Sequence, residues 1–290
     1  MCTIGNVLTV PYEGPYEGPY KGNIVFKQCD LMQKTEFLTP EVTKGRNDIY
    51  YFPLLRNGSK GPWSGTNNYG VTFVAADSYT DNTGKLMSVD KDIFKAYTKI
   101  ISEYKTAKTA AAYMCDFYKA FLHPDILQIN DAVSSYFIEA NNKTVACIER
   151  EEGFFGSTNH FRMLPHAVPY PKNHSTYLRL QRAEAILEKT PDSDGIFTVV
   201  TDQYFGKSVL SICRETKLVP PTEDPYFTQA TAVFYVVGNH VNCAYQLNGN
   251  PRTNRFTYIE DIFGNSSIKN GLTVTETQRV FKALLCKKRE

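Results

Sequence analysis

The chain of 290 residues lacks several features that would assign it to a particular class of protein. Its start has no charged segment followed by an apolar one, so we expect no secretory signal peptide. No apolar run approaches the length that spans a bilayer. The formal net charge is only +2, which provides no field-driven affinity for nucleic acid or for an anionic membrane. We therefore expect a cytoplasmic protein that binds neither.

Paired cysteines are also lacking. The seven cysteines are odd in number and widely scattered, and no two of them form a Cys-x-x-Cys pair. This spacing supports neither a zinc site nor a thioredoxin-like motif, and we expect no metal and no cofactor. Reduced thiols in a cytosolic protein fit the pattern best. Since no linker, repeat array or change in composition divides the chain, the sequence predicts one domain over residues 1–290.

What the chain does contain begins with strands and hairpins. Hydrophobic residues make up 42% of it, with 19 tyrosines and 18 phenylalanines, which suits strands and apolar ligand pockets alike. The predicted strands cover residues 3–10, 23–30, 48–55, 71–76, 132–140, 143–149, 154–161, 229–237 and 241–247. The predicted helices cover residues 91–104, 106–123, 174–188 (capped by Asn173 or Ser175) and 275–287. This order favours antiparallel sheets layered with helices over a parallel doubly wound sheet.

Two segments between the early strands are dense in turn residues. The motif Pro-Tyr-Glu-Gly occurs at residues 11–14 and 15–18 and returns as Pro-Tyr-Lys-Gly at 19–22, which predicts a duplicated loop. Its tyrosines, Tyr16 among them, either line a pocket, contact a partner or lie on a solvated loop. A second turn segment is predicted over residues 61–70 and contains Trp63.

The first two residues carry the clearest chemical signal. Removal of Met1 would make Cys2 the N-terminus, with a thiol and a free α-amine on one residue. The amine, with a pKa of about 7.7–8.0, can accept the proton of a thiol whose pKa is about 8.5. An N-terminal amine that acts as base for its own side chain is a recognised way to activate a nucleophile. The alternative is an incidental cysteine at the second position.

Seven stretches, in order along the chain, carry a resemblance to a family. The sequence resembles N-terminal-nucleophile (Ntn) hydrolases of the penicillin acyltransferase type, which are relatives of choloylglycine hydrolases, penicillin V acylase and acid ceramidase. The stretches are Cys2-Thr3, Lys27-Gln28-Cys29-Asp30, residues 65–71 (GTNNYGV), Thr158-Asn159-His160-Phe161, residues 175–179 (STYLR), residues 211–214 (SICR) and residues 249–251 (GNP). The resemblance implies an α+β fold, the αββα four-layer sandwich with two stacked antiparallel sheets.

The resemblance also implies roles for five residues. Cys2 would attack an amide carbonyl, and its α-amine would relay the proton to the leaving amine. Asp30 would hold the terminal ammonium or the thiol, or it is simply the end of a strand. Asn159 and Asn67 would donate to the developing oxyanion, although Asn67 fits equally well as a turn residue. Arg179 would anchor the neighbourhood of Cys2 and Asp30, or it faces solvent from a helix.

Three further residues, Lys27, Tyr16 and Trp63, are candidates for substrate binding. Lys27 stands where the bile-salt relatives usually have arginine, which differs in geometry and in hydrogen-bond count. Strand alternation places Lys27 and Asp30 on opposite faces, so both reach one site only if the strand ends or bulges between them. His160 is interpreted as structural, because the terminal amine already fills the role of base.

The implied reaction is hydrolysis of a linear, non-peptide amide, of the N-acyl amine or N-acyl amino acid type, through an acyl-Cys2 thioester. The sequence leaves two alternatives open. The same thioester can pass its acyl group to an amine acceptor, or the chain can be an inactive binding protein of the same fold. The expected partner is a small-molecule amide, and a homo-oligomer is left open.

Overall fold

The computed structural model describes residues 2–12, 20–76, 78, 91–165, 170–215 and 226–286. Its strands are β1 Cys2–Tyr12, β2 Tyr20–Leu31, β3 Thr43–Lys44, β4 Tyr50–Leu54, β5 Ser64–Asn67, β6 Thr72–Ala75, β7 Asp125–Asn130, β8 Ser135–Asn141, β9 Thr144–Arg150, β10 Gly153–Ser157, β11 Phe227–Val237, β12 His240–Gln246, β13 Phe256–Glu260 and β14 Ser267–Leu272. Its helices are α1 Lys91–Glu103, α2 Ala107–Tyr118, α3 Ser175–Lys189, α4 Ser193–Val200 and α5 Val274–Cys286. No helix in these ranges is long and apolar enough to cross a membrane.

The strands form two seven-stranded antiparallel sheets. The first sheet has the order β10-β1-β2-β11-β12-β13-β14, and the second has the order β3-β4-β5-β6-β7-β8-β9. The second sheet is a meander, because each strand pairs with its neighbour in sequence. The first sheet brings together the two ends of the chain, since β2 pairs with β11. The strand that begins at Cys2 therefore lies inside a sheet, between β10 and β2.

Four layers result from the way these sheets bury their faces. One apolar cluster fills the space between the sheets and includes Ile4, Val25 and Phe234 of the first sheet with Phe52 and Phe137 of the second. The outer face of the second sheet packs on α1 and α2, and that of the first sheet packs on α3, α4 and α5. Because the central strands are covered on both faces, β7 and β8 are buried along their whole length and β11 along all but its first residue, whereas β3, β9 and β14 are largely exposed. The αββα sandwich expected from the sequence is confirmed.

Several predictions about single elements were wrong. Residues 64–67, expected in a turn, form β5, because they pair with β4 and β6. The small residues there let α1 approach closely; a Cβ on Gly65 would lie 2.8 Å from Ile101 Cδ1. The strand expected over residues 154–161 does not continue the β8–β9 hairpin. The chain turns at Gly153, whose φ is +76°, and β10 then pairs with β1 in the other sheet.

The start of α3 also differs from the prediction. Neither Asn173 nor Ser175 is the N-cap; His174 takes that place, and its imidazole accepts a hydrogen bond from the backbone N–H of Thr176. The sequence patterns also missed five further elements, namely β3, β7, α4, β13 and β14. These are short, and for a short apolar run periodicity does not distinguish a strand from a buried helix.

Candidate active site

Cys2 is the first residue of β1 and is almost completely buried, with 5% of its surface exposed. Strand alternation directs its side chain, like that of Ile4, into the space between the sheets. The intervening Thr3 faces the opposite way, toward α3. Directly across the ladder on β2 lies Cys29, whose side chain is hydrogen-bonded to that of Cys2. The thiol of Cys2 is therefore held in the interior, next to a second thiol.

The backbone of Cys2 is fixed at both of its polar atoms. Its N–H donates to Asn159 Oδ1 at 2.9 Å. Its carbonyl oxygen accepts from Arg179 Nη1 at 2.6 Å, and the same nitrogen donates to Thr3 Oγ1 at 2.9 Å. Arg179 Nη2 donates to Asn159 Oδ1 at 3.0 Å, which closes a ring of three residues. The structure thus brings together three of the predicted residues, Cys2, Asn159 and Arg179, all buried.

The first turn of α3 holds Asn159 in place. The Thr176 hydroxyl accepts from the Asn159 backbone N–H at 3.0 Å, and Thr158 Oγ1 donates to the Thr176 carbonyl at 2.8 Å. His160 Nδ1 lies 3.0 Å from Thr176 Oγ1 and 3.1 Å from Thr158 Oγ1. The Thr-Asn-His stretch is therefore a polar seam between β10 and α3, and Arg179, one turn after Thr176, reaches the same place. The fixed orientation of Asn159 follows from this seam.

Asp30, at the end of β2, is fully buried and has two partners on the neighbouring chain segments. Its Oδ1 accepts from Thr228 Oγ1 at 2.7 Å, and its Oδ2 lies 3.4 Å from Arg214 Nε. Arg214 is fully buried as well. In the sequence analysis Arg214 belongs to the stretch at residues 211–214 and has no assigned role. A charged residue ending an otherwise apolar segment was the available signal, but the pairing itself depends on the fold.

Lys27 and Trp63 join the two sheets near Cys2. Lys27 Nζ donates to the backbone carbonyls of Trp63 at 2.9 Å and Ala75 at 2.6 Å, and it lies 5.4 Å from the centroid of the Trp63 ring. Both Lys27 and Trp63 are buried. Two of the three N–H groups of the ammonium are therefore engaged with the second sheet, and a substrate role for Lys27 depends on the third.

A small cavity of about 20 Å³ adjoins the thiol of Cys2. Lys27 and Asp30 both line it, together with Cys29, Arg56 and Trp63. The register irregularity beside them lies in β11 and not in β2. Thr228 pairs with Asp30 and Ala230 with Cys29, so Gln229 is an extra residue in β11. A volume of this size accommodates about one water molecule.

The pKa of the Cys29 thiol depends on the facing thiol of Cys2. The hydrogen bond with Cys2 raises the pKa of Cys29 well above its usual value, and burial and the charge of ionised Cys2 act in the same direction. The cations Lys27 and Arg56 act in the opposite direction. The raising effects prevail, so Cys29 keeps its proton.

The structure does not place Asn67, the other expected oxyanion donor, with these residues. Asn67 is on the face of the second sheet that packs on α1, away from the space that contains Cys2. Its side-chain N–H groups donate to the carbonyls of Ile101 at 3.0 Å and Tyr104 at 2.7 Å. Its Oδ1 accepts from the backbone N–H groups of Tyr69 and Val71, both at 3.0 Å. Asn67 closes a turn and ties it to the end of α1.

Two other sequence-based expectations concern Tyr16 and metal binding. Tyr16 lies outside the described residues. Within the described ranges, no group of three or more His, Cys, Asp or Glu side chains could hold a metal ion.

Comparison with known proteins gives a likeness of fold. No protein-family model and no curated protein matches the chain. A mutant conjugated bile acid hydrolase from Clostridium perfringens is similar with a TM-score of 0.50 and 10% identity over 93% of this chain and 96% of that chain. Another variant of that hydrolase gives 0.47, with 11% identity over 94% and 98%. An N-acylethanolamine-hydrolyzing acid amidase ortholog from Caenorhabditis elegans gives 0.46, with 13% identity over 80% and 92%. The chain thus has the fold of a conjugated bile acid hydrolase, the Ntn-hydrolase sandwich that its motifs predict.

Proposed function

We propose that the chain is a cysteine amidohydrolase that cleaves a linear, non-peptide amide of the N-acyl amine or N-acyl amino acid type. The nucleophile is Cys2, exposed as the N-terminus by removal of Met1. The observation that carries the proposal is the 2.9 Å hydrogen bond from the Cys2 nitrogen to Asn159 Oδ1, with the Cys2 carbonyl held by Arg179. Once Met1 is removed, this nitrogen is the α-amine. Its hydrogen bond to Asn159 then holds the amine in the orientation in which it can accept the proton of its own thiol.

The reaction begins with transfer of the Cys2 thiol proton to the α-amine. The thiolate attacks the amide carbonyl carbon, a C–S bond forms, and the carbonyl oxygen becomes an oxyanion. Asn159 Nδ2 is the proposed donor to this oxyanion, since both N–H groups of Asn67 are engaged elsewhere. The C–N bond then breaks, and the leaving amine takes the proton from the α-ammonium. The product is an acyl thioester on Cys2.

Electrostatics support Asp30 as the group that stabilises the α-ammonium. It is the only carboxylate among the described residues that line the cavity at Cys2. Its pairing with Arg214 and Thr228 fixes the carboxylate without exposing it to bulk water. In such a buried setting the attraction between unlike charges is stronger than in water.

The cavity beside Cys2 has room for the water molecule that hydrolysis requires. Its volume of about 20 Å³ is close to that of one water molecule, which would attack the thioester. Acyl transfer remains the second candidate, because the same thioester serves both reactions. Incubation of the acyl-enzyme with increasing concentrations of a small amine such as hydroxylamine measures the partition between the two products.

The larger part of the substrate needs a separate surface, and a cavity of about 740 Å³ lies just past the end of β2. Its lining includes Met32, Phe227 and Gln229. A volume of a few hundred cubic ångströms is typical of small-molecule sites. Met32 and Phe227 supply apolar surface, which supports an apolar or aromatic acyl group. Phe227→Ala is then expected to raise KM more than it lowers kcat.

The mechanism can be tested with a protein in which cleavage of a leader exposes Cys2 as the N-terminus. A variant with a protease-cleavable leader before Cys2 should fold and be inactive, because the added peptide bond turns the base into a non-basic amide. Cleavage that leaves Cys2 as the first residue should restore turnover of a panel of N-acyl amides and an acyl adduct on Cys2 by intact mass. A cleaved Cys2→Ala protein is the matched control and should remain inactive. Equal turnover before and after cleavage contradicts the terminal-amine mechanism.

Measurement of the intact mass also distinguishes the enzyme from the third candidate, an inactive binding protein of the same fold. The enzyme requires a mature protein that lacks Met1, whereas the binding protein is compatible with Met1 retained. The proposed setting is the cytoplasm, supported by scattered cysteines that show no disulfide framework.

A further inference from the structure

The two thiols at the site occupy directly opposed positions of one antiparallel ladder. Cys2 of β1 pairs with Cys29 of β2, and both side chains lie on the face directed between the sheets. Opposed residues in such a ladder have Cα atoms about 4.5–5.5 Å apart. Disulfides span Cα separations of about 4.4–6.8 Å, so a bond between these sulfurs needs little movement of the backbone. The thiols are already hydrogen-bonded to one another.

We propose that Cys2 and Cys29 form a site of reversible oxidation, at which a hydroperoxide converts the dithiol to a disulfide and withdraws the nucleophile. Formation of the disulfide does not depend on the proposed function; only the accompanying loss of turnover rests on it. The proposed hydrolysis does not use the Cys29 thiol. A role in reversible oxidation explains why a second thiol lies opposite the nucleophile.

The oxidation has two balanced steps. The Cys2 thiolate attacks the peroxide, an S–O bond forms and the O–O bond breaks, so that Cys2 becomes a sulfenic acid. The departing oxygen takes the proton that the Cys2 thiol gave up and leaves as water or an alcohol. The Cys29 thiol then attacks the sulfenic sulfur, an S–S bond forms, and the S–O bond breaks with release of water. The two thiols supply the two electrons that reduce the peroxide. A dithiol such as dithiothreitol reverses the change by thiol–disulfide exchange.

The surroundings favour both steps. The adjoining cavity of about 20 Å³ is close in size to one water molecule, so hydrogen peroxide is better matched to it than a bulky oxidant. Lys27 and Arg56 lower the pKa of Cys29, against the raising effects of burial and of its partner. Once Cys2 is a neutral sulfenic acid, the repulsion by its charge is gone while both cations remain. Cys29 then ionises more readily, at the step where it must act as a nucleophile.

A second thiol pair in the chain provides an internal control. Cys115 of α2 and Cys147 of β9 are also hydrogen-bonded, but Cys147 is exposed and no sheet register joins the two elements. Oxidation there would leave the Cys2 nucleophile intact. The Cys115→Ser/Cys147→Ser double variant therefore removes the surface pair and leaves the proposed site unchanged.

The experiment treats the full-length, reduced protein with hydrogen peroxide under native conditions, then alkylates it under denaturing conditions and digests it with trypsin. Cleavage after Lys21, Lys27 and Lys34 places the two thiols in separate peptides, one ending at Lys21 and one spanning residues 28–34. The expected product is a linked pair of these peptides, lighter by two hydrogens than the free pair. Dithiothreitol should restore both alkylated peptides, and turnover should fall and recover in parallel. Separate peptides with Cys2 as a sulfinic acid overturn the proposal.

Variants distinguish this site from general oxidation. In Cys29→Ser, Cys2 has no resolving thiol, so peroxide should drive it to sulfinic acid, and dithiothreitol should not recover the turnover that this variant had before treatment. Recovery in Cys29→Ser contradicts the proposal, as does loss of the linked peptide in the Cys115→Ser/Cys147→Ser protein. If the wild-type protein shows no amidase activity but the linked peptide forms, the proposed function fails and the redox site stands.

Discussion

Asn159 and Asn67 are both fully buried asparagines in stretches that match the same family, yet they lie in different regions of the molecule and serve different purposes. Asn159, between β10 and α3, accepts hydrogen bonds from the Cys2 nitrogen and from Arg179. Asn67, at the end of β5, uses its oxygen and both N–H groups on four backbone atoms of its own region. One amide holds the proposed nucleophile and the other completes a turn.

The difference shows that the partners of a buried amide, and not its burial or its motif, determine its role. A buried polar group must be satisfied, and the nearest backbone groups usually do this. Around Asn67 they satisfy it completely, which leaves no donor for a substrate. Around Asn159 the partners of the side-chain oxygen belong to the residue that carries the thiol and to the arginine that holds it. This contrast can be tested by substitutions on each side.

The largest effect is expected from substitution of Asn159. Asn159→Leu removes the acceptor for the Cys2 nitrogen and the proposed oxyanion donor, so turnover should fall by about 10²–10³-fold, the usual effect of losing such a donor. Asn159→Asp keeps the acceptor and removes the donor. Steady-state kinetics on a responsive N-acyl amide provide the measurement. A turnover near wild type in Asn159→Asp would limit Asn159 to positioning Cys2, and a turnover near wild type in Asn159→Leu would remove it from the site.

Asp30 and Arg214 should affect both turnover and stability, because each is buried and paired with the other. Removal of one member of a buried ion pair costs about 3–5 kcal/mol, since the other charge is left without compensation. Asp30→Asn and Arg214→Gln should each lower the free energy of unfolding by about this amount. The double variant should lose less than the sum and still have low turnover, because the carboxylate is absent. Urea unfolding with kinetics on the folded fraction measures both quantities; additive losses would contradict the pairing.

Asn67→Ala should destabilise the fold and leave the chemistry intact. At about 1 kcal/mol for each hydrogen bond, the loss of four bonds predicts a decrease of about 2–4 kcal/mol in the free energy of unfolding. Activity per folded molecule should remain near wild type. Asn68→Ala is the matched control, because its partly exposed side chain makes two bonds and should cost less. A specific loss of turnover in folded Asn67→Ala would restore it as an oxyanion donor.

The smallest expected effect is on the rates at which thiols are labelled, where Cys115 and Cys213 can be compared in the same way as the two asparagines. The hydrogen bond from Cys147 lowers the pKa of Cys115, whereas burial, with a smaller contribution from the charge of Asp30, raises that of Cys213 to about 12. Because the thiolate is the reactive form, a neutral alkylating reagent at pH 8 should modify Cys115 after Cys2 and leave Cys213 unmodified. Cys147→Ala should slow the labelling of Cys115 several-fold. Peptide mapping against time measures this, and labelling of Cys213 before Cys115 would contradict it.

Much of the sheet architecture could be predicted, because hairpins are local. The 229–237 and 241–247 strands, the 132–140 and 143–149 hairpin and the helices at 91–104 and 174–188 correspond to observed elements, with shifts at their ends. Elements held by tertiary contact could not. Ser64–Asn67 contains no apolar residue, and only its place between β4 and β6 makes it a strand. The pairing of β10 with β1, across about half of the chain, has no local signal.

The sequence by itself determined the chemistry available at the site: a cysteine at the second position, a strand behind it, and buried polar residues in a recognisable order. The tertiary structure decided which of those residues meet. It joined Asn159 and Arg179 to Cys2, directed Asn67 away to α1, paired Asp30 with Arg214, and set Cys29 opposite Cys2. The physical reason is that strand register and helix packing fix distances between residues that are tens to more than a hundred positions apart. Periodicity and motif spacing report only on neighbours in sequence.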